Sequence, residues 1–298
     1  MSHSARYLRL TELAQRAFSR GRLERALALF TEAEETARRS GDRELTDRAF
    51  CNRCVVLLEL ERLDSAIGEL KNVLMRSRDP FTSWMAAYYT AQVYEFEGNS
   101  KRALAYARRA SELAEACGET RARMGSANQH GVLALKDSQY GEAAPRFEEA
   151  LQLAGEGGGD AVSTAIIRDN LGYCLMCTGR AGEGFALCSD AAATLEAAGA
   201  SQFLPEVYQD LCYGALQQGE MDKARAFGAR ALEAARQFDH PSVERNTLML
   251  LADAALDNGD EGTADEYLTA LSSHYPDFAG MKSFLRAFNV REVINLKA

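Results

Sequence analysis

One unit of about 40 residues recurs seven times along this chain, and that repetition limits the fold more than any other feature. Each copy is marked by a turn followed by a small residue, as in Arg20-Gly21-Arg22-Leu23-Glu24-Arg25-Ala26 or Gly219-Glu220-Met221-Asp222-Lys223-Ala224. The small residue falls at Ala26, Ala66, Ala103, Ala143, Gly184, Ala224 and Ala264, at spacings of 37 to 41. Twelve residues earlier stands another: Ala14, Cys54, Ala91, Gly131, Gly172, Cys212 and Ala252. Apolar side chains follow the marker at four and seven residues, as in Phe30 and Ala33, Leu70 and Val73, Phe147 and Ala150, Leu268 and Leu271. These are helical intervals, so each copy predicts two helices joined by a tight turn, with small residues where the two approach.

Composition agrees. Ala and Leu dominate and prolines number 5 in 298 residues, which favours helix throughout. Asp79-Pro80 and His240-Pro241 read as helix starts, and Pro145 and Pro205 as first-turn positions. The run Gly155–Asp160 predicts a breaker and hinge between the fourth and fifth copies. With 34 basic against 43 acidic residues the net charge is -9, a poor match to nucleic acid. Seven scattered cysteines point to reduced thiols and a cytoplasmic setting. No apolar run approaches about 18 residues, so no membrane span is expected, and the start shows no signal-peptide pattern.

The layout resembles the tetratricopeptide repeat (TPR), on Leu171-Gly172 with Leu175, Ala26-Phe30-Ala33, Ala143-Phe147-Ala150, and Ala264 with Pro276. The resemblance implies an all-α, right-handed superhelical solenoid of seven TPR-like helix pairs. Their bounds are about 7–46, 47–83, 84–123, 124–164, 165–204, 205–244 and 245–276, with capping helices over 277–298. Arg53 and His130 replace the usual leucine, Arg168 a large apolar residue and Gly184 the alanine, so those copies should pack less regularly. In the tail, Phe278, Met281, Leu285 and Phe288 share a helical face. Asn289 with Glu292 forms a candidate capping box, and Phe288 with Val293 a candidate staple. Val290, Val293, Ile294 and Leu296 would alternatively dock a partner.

Motifs for chemistry are weak. Cys51/Cys54 and Cys174/Cys177 lie inside helical text, which does not suit a tetrahedral metal site. The glycine run lacks the Gly-Lys-Ser/Thr ending of a phosphate loop, and the four histidines share no motif. The expectation is no enzyme, no metal and no cofactor.

By the same resemblance, the first helix of each pair lines a concave groove that holds peptides or partner helices. The register places Arg48 and Asn52, Tyr88, Tyr89 and Gln92, Asn128 and Gln129 there. Asp169, Asn170 and Tyr173 follow, then Gln209, Asp210 and Tyr213, and Asn246. A side-chain amide both donates and accepts, so it matches a peptide backbone; a tyrosine adds rigid contact area. Asp169, Glu206, Asp210, Asp253 and Asp257 make the later half acidic, so a neutral or basic segment fits better than an acidic one. The expected function is a non-enzymatic scaffold or adaptor binding a protein or peptide segment in that groove. The alternatives are a peptide-sensing regulator lacking its own DNA-binding module and a self-assembling structural protein.

Overall fold

The computed structural model describes residues 3–60, 62, 66–275, 278–287 and 289–297. Expectations on Glu61, Leu63–Ser65, Pro276, Asp277 and Phe288 fall outside the described residues, as do those on the side chains of Glu292 and Val293. Every regular element among the described residues is helical. Two compact units form, Met1–Ala134 with Pro145–Asp160, and Leu135–Ala144 with Ala161–Ala298.

In the first unit α1 (His3–Phe18) pairs with α2 (Leu23–Ser40), and α5 (Pro80–Phe96) with α6 (Ser100–Cys117). Between them lie α3 (Arg43–Glu59) and α4 (Ala66–Arg76). After them come α7 (Thr120–Lys136) and α8 (Tyr140–Leu153), whose joining turn belongs to the second unit. In the second unit α9 (Ala161–Cys177) pairs with α10 (Ala181–Ala198), and α11 (Leu204–Gln217) with α12 (Met221–Phe238). A third pair is α13 (Pro241–Asp257) with α14 (Glu261–Leu271), followed by α15 (Phe278–Ala287) and α16 (Val290–Val293). First helices of successive pairs also touch: α3 with α5, α9 with α11, and α11 with α13.

Local chemistry sets the helix ends. Asp42, Asp79, Asn99 and Asp260 accept the backbone N–H three residues on and so cap their helices. Among the described residues, the position five before a marker turns through a left-handed conformation, supplied by Gly21, Gly98, Gly179, Gly219 and Gly259. In the fourth copy Ser138 takes that conformation at φ 58°, a strained choice for a residue with a Cβ.

The marker residues and their partners are fully buried, Ala14 and Ala26 at 0% exposure among them, and large side chains such as Phe30, Leu70 and Phe147 fill the spaces beside them. Each such side chain contributes about 1.5–3 kcal/mol by leaving water. Two expectations change. Pro145 is not in a first turn but inside α8, so residue 145 offers no N–H to the Gly141 carbonyl. The fifth pair is not loosened by Gly184. A Cβ on Gly184 would lie 2.3 Å from the Gly172 carbonyl oxygen, and one on Gly172 would lie 2.7 Å from that of Gly184. The two glycines let α9 and α10 meet backbone to backbone. Arg53 and His130 also have partners: Arg53 Nε donates to Glu34 at 2.7 Å, and His130 Nε2 lies 3.0 Å from Ser111 Oγ.

Gly184→Ala therefore destabilises the chain by about 1–3 kcal/mol through overpacking, although alanine is the better helix former. Gly182→Ala on the same helix, whose Cβ would meet only Gln218 Oε1 at 3.9 Å, leaves stability unchanged or slightly raised. Urea unfolding of both variants checks the opposite signs.

Candidate functional site

The first helices of the second unit lie side by side and present acidic residues on one face. Asp169 and Tyr173 come from α9, Glu206 and Asp210 from α11, and Asp253 and Asp257 from α13. The chain's own segment after α15 lies along this face. The Val290 N–H donates to Asp253 Oδ1 at 3.0 Å, and Arg291 Nε to Asp253 Oδ2 at 2.7 Å. The Arg291 guanidinium also pairs with Asp257. The side chain of Asn289 makes no capping hydrogen bond to α16, and the Val290 N–H goes to Asp253 of α13.

Further on, the segment reaches α9. The Leu296 N–H donates to the Tyr173 hydroxyl at 3.0 Å. Asn295 Nδ2 donates to the carbonyls of Leu135 and Lys136 at 2.8 and 3.2 Å, and to Ser138 Oγ at 3.1 Å. These carbonyls end α7, so Asn295 caps that helix from a distant part of the chain. The Lys297 ammonium lies 2.8 Å from Asp210 Oδ2, 3.1 Å from Asp169 Oδ2 and 3.5 Å from Glu206 Oε2, with the Tyr173 ring centre 5.9 Å away.

This is a buried ion cluster. Asp210 is 0% exposed and Asp169 3%, and the Lys297 side chain keeps 7% exposure. Burial pushes the Asp210 carboxyl well up, while Lys297 beside it pulls the other way. Burial also opposes the charge on Lys297, but Asp169, Asp210 and Glu206 outweigh it and hold the ammonium well above its usual range. Burial pushes the Tyr173 hydroxyl up as well, so it stays a neutral hydrogen-bonding group. Asp169, Asp210 and Cys188 place their ligand atoms within 4.8 Å of one another, the separation a metal site needs. Lys297 sets its ammonium against both carboxylates, and burial holds the Cys188 thiol in its neutral form, a poor ligand.

The sequence-selected residues divide between the units. In the second, Asp169, Tyr173 and Asp210 meet at Lys297, and the Tyr213 ring packs 5.6 Å from that of Tyr173. Asn170 and Gln209 are buried, and among the described residues neither amide atom of Gln209 has a partner. Asn246 is also buried and accepts from Arg245 Nε.

In the first unit the selected groups mostly bond one another. Arg48 pairs with Asp79 and reaches Thr82, and Asn52 donates to the Tyr7 hydroxyl at 3.1 Å. Gln92 donates to the Tyr88 hydroxyl at 3.2 Å, and Gln129 to the Tyr88 carbonyl at 2.9 Å. Tyr88 and Tyr89 pack edge to face, and Asn128 Oδ1 is buried without a partner among the described residues. Amides in this register thus tie successive first helices together: α1 to α3, and α5 to α7.

Sequence reasoning missed Arg291, Asn295 and Lys297 as partners of the first-helix residues. The available signal was charge, since two cations lie near the end of a chain whose preceding first helices are acidic. No catalytic arrangement stands out among the described residues. Ser111 Oγ lies 3.0 Å from His130 Nε2 and also reaches the Ala107 carbonyl at 3.3 Å.

Lys297→Met leaves the buried carboxylates without their cation. The expected loss is about 1–3 kcal/mol at pH 7, below the roughly 3–5 kcal/mol of an interior pair, because the segment can peel back and rehydrate the acids. In the variant Asp210 keeps a pKa raised above its unfolded value. Its contribution is therefore fully present below the unfolded pKa and is lost as pH rises through the folded one. The stability gap to wild type should shrink on acidification below about pH 5; a gap that widens there contradicts the cluster. Thermal unfolding across pH measures it.

No family model matches the sequence, and no curated protein matches it. Solved structures do. A Rap protein complexed with Competence and Sporulation Factor aligns at TM-score 0.65 and 16% identity, covering 99% of this chain and 97% of that one. A Signal Transduction ATPase with Numerous Domains from Pyrococcus horikoshii, which carries a tetratricopeptide repeat sensor, aligns at TM-score 0.61 and 19% identity. It covers 93% of this chain and 43% of its own. Aspartyl phosphate phosphatase F from Bacillus subtilis aligns at TM-score 0.58 and 16% identity, covering 89% and 69%. In its packed consecutive helix pairs and in these neighbours, the chain has the TPR-like fold of the tetratricopeptide-repeat proteins.

Proposed function

We propose that this chain is a non-enzymatic interaction scaffold of the cytoplasm that docks a neutral or basic protein or peptide segment on the first-helix face of its second unit. The observation that carries this reading is the segment already there. Residues 290–297 lie on α9, α11 and α13 through two backbone N–H groups and two cations, each matched by a carboxylate or a tyrosine hydroxyl. A surface that holds one basic segment this way has the groups to hold another.

A peptide-responsive regulator is the second reading, favoured by whole-chain likeness to a Rap protein in complex with Competence and Sporulation Factor. Self-assembly through the tail has less support, since Val290 and Leu296 are buried within the chain itself, at 2% and 6% exposure.

Peptide display against the full chain tests the scaffold reading. Enriched peptides should carry net positive charge and lose at least about tenfold in affinity against Glu206→Lys with Asp257→Lys, as electrostatic complementarity requires. Both positions are half-exposed, and a cooperative melt of the variant checks that it folds. Enrichment of acidic peptides, or equal binding to the variant, would falsify the reading.

A further inference from the structure

We propose that Asp169, Glu206 and Asp210, closed on one side by the Tyr173 ring, form a lysine-reading pocket, and that residues 295–297 fill it as a tethered stand-in for a partner segment bearing a lysine. This rests on the scaffold reading above and names what the docked segment must present.

The pocket has the geometry of an ammonium site. Three carboxylates from α9 and α11 approach Lys297 Nζ at 2.8, 3.1 and 3.5 Å, the Asp169 oxygen as a hydrogen bond and the other two as ion pairs around a compact charge. A guanidinium is a planar fork and does not converge its donors on one point. Acceptors remain in excess, since Oδ1 of both Asp169 and Asp210 is buried with no hydrogen-bond partner among the described residues. Two buried acids and a third at the rim stay charged only beside a cation, and Lys297 supplies one from outside the helix pairs.

The neighbouring contacts do not depend on which chain makes them. The Tyr173 hydroxyl accepts a backbone N–H, which nearly any residue offers. The α7 carbonyls and Ser138 take a side-chain amide. The Leu296 side chain is buried beside the pocket. The surface therefore reads an amide, an apolar residue and a lysine in succession, all by groups on the helix pairs.

Tethering explains how the same pocket serves both occupants. A linked segment competes at an effective concentration on the order of millimolar. A free peptide with the same contacts sees its affinity reduced by the fraction of time the pocket is open. A partner with further contacts along α11 and α13 displaces the segment.

The test uses the full chain and a fluorescein-labelled peptide of residues 289–297, with a twin carrying norleucine for the lysine. Binding is read by anisotropy against wild type and against Leu296→Ser with Lys297→Ser. The lysine peptide should bind the double variant at least about tenfold tighter than wild type, and the norleucine twin at least about tenfold weaker than the lysine peptide. A twin that binds as well as the lysine peptide overturns the pocket and leaves the scaffold reading intact. No binding of either peptide to a double variant that keeps its helical signal and cooperative melting also overturns it.

Wild type supplies an answer that needs no variant. Under reductive methylation, mapped by mass, Lys297 should react at least about tenfold more slowly than exposed Lys101, and saturating lysine peptide should raise the Lys297 rate at least about threefold. An unprotected Lys297, or a rate the peptide leaves unchanged, overturns the proposal.

Discussion

The structure depends on how closely paired helices approach. Each pair meets through two positions twelve residues apart in sequence, and those positions hold only Ala, Gly or Cys. In the α9–α10 pair both are glycine and the backbones touch. Close pairing keeps each helix pair thin, so within a unit the first helices of successive pairs become neighbours. Neighbouring first helices put Asp169 and Asp210, 41 residues apart, on the same ammonium. The site thus depends on small side chains within a turn of it, Gly172 beside Tyr173 and Cys212 two residues from Asp210, and its acids converge only because the repeat brings equivalent faces together.

That dependence also decides what the sequence revealed. Helix pairing was legible because its signal is local: intervals of four and seven residues, a turn, a cap. The left-handed turn recurs in register as glycine, and Ser138 shows the backbone holding that shape even where the residue resists it. Gly184 misled because a one-position comparison counts a missing methyl as lost packing, whereas the partner Gly172 closes the gap. Pro145 misled because α8 begins three residues before its marker, as α2 and α10 do, which puts residue 145 past the first turn. The acidic character of the later first helices was readable from composition. Its occupant was not, because Lys297 meets Asp169 across 128 residues, and no periodicity records such a pairing. The amides of the first unit were readable as a register but not as interhelix ties, since both uses need the same residue type in the same place.

The stretch after α15 combines two kinds of contact, and their chemistry separates them. Leu285 and Val290 are buried against Leu248, Met249, Leu268 and Leu271, with Phe278, Met281 and Ile294 beside them. That covers apolar surface a last helix pair would otherwise expose, and a repeat array needs such a cover. Residues 295–297 cover something else. Most of what they meet is polar: carbonyls, a serine, a tyrosine hydroxyl and three carboxylates, groups that need no apolar cover.

Burying an ammonium among buried acids is also an inefficient way to gain stability. Two desolvated charges roughly cancel their attraction, and an apolar plug of equal volume often does better by about 1–4 kcal/mol. What an ionic cluster adds is discrimination, because only a cation of the right shape satisfies it and a misplaced residue leaves acids unpaired. Covering apolar surface accounts for α15 and the start of α16. The ion cluster beyond them fits the proposed pocket, since Lys297 meets Asp169 and Asp210 by charge and not by apolar cover.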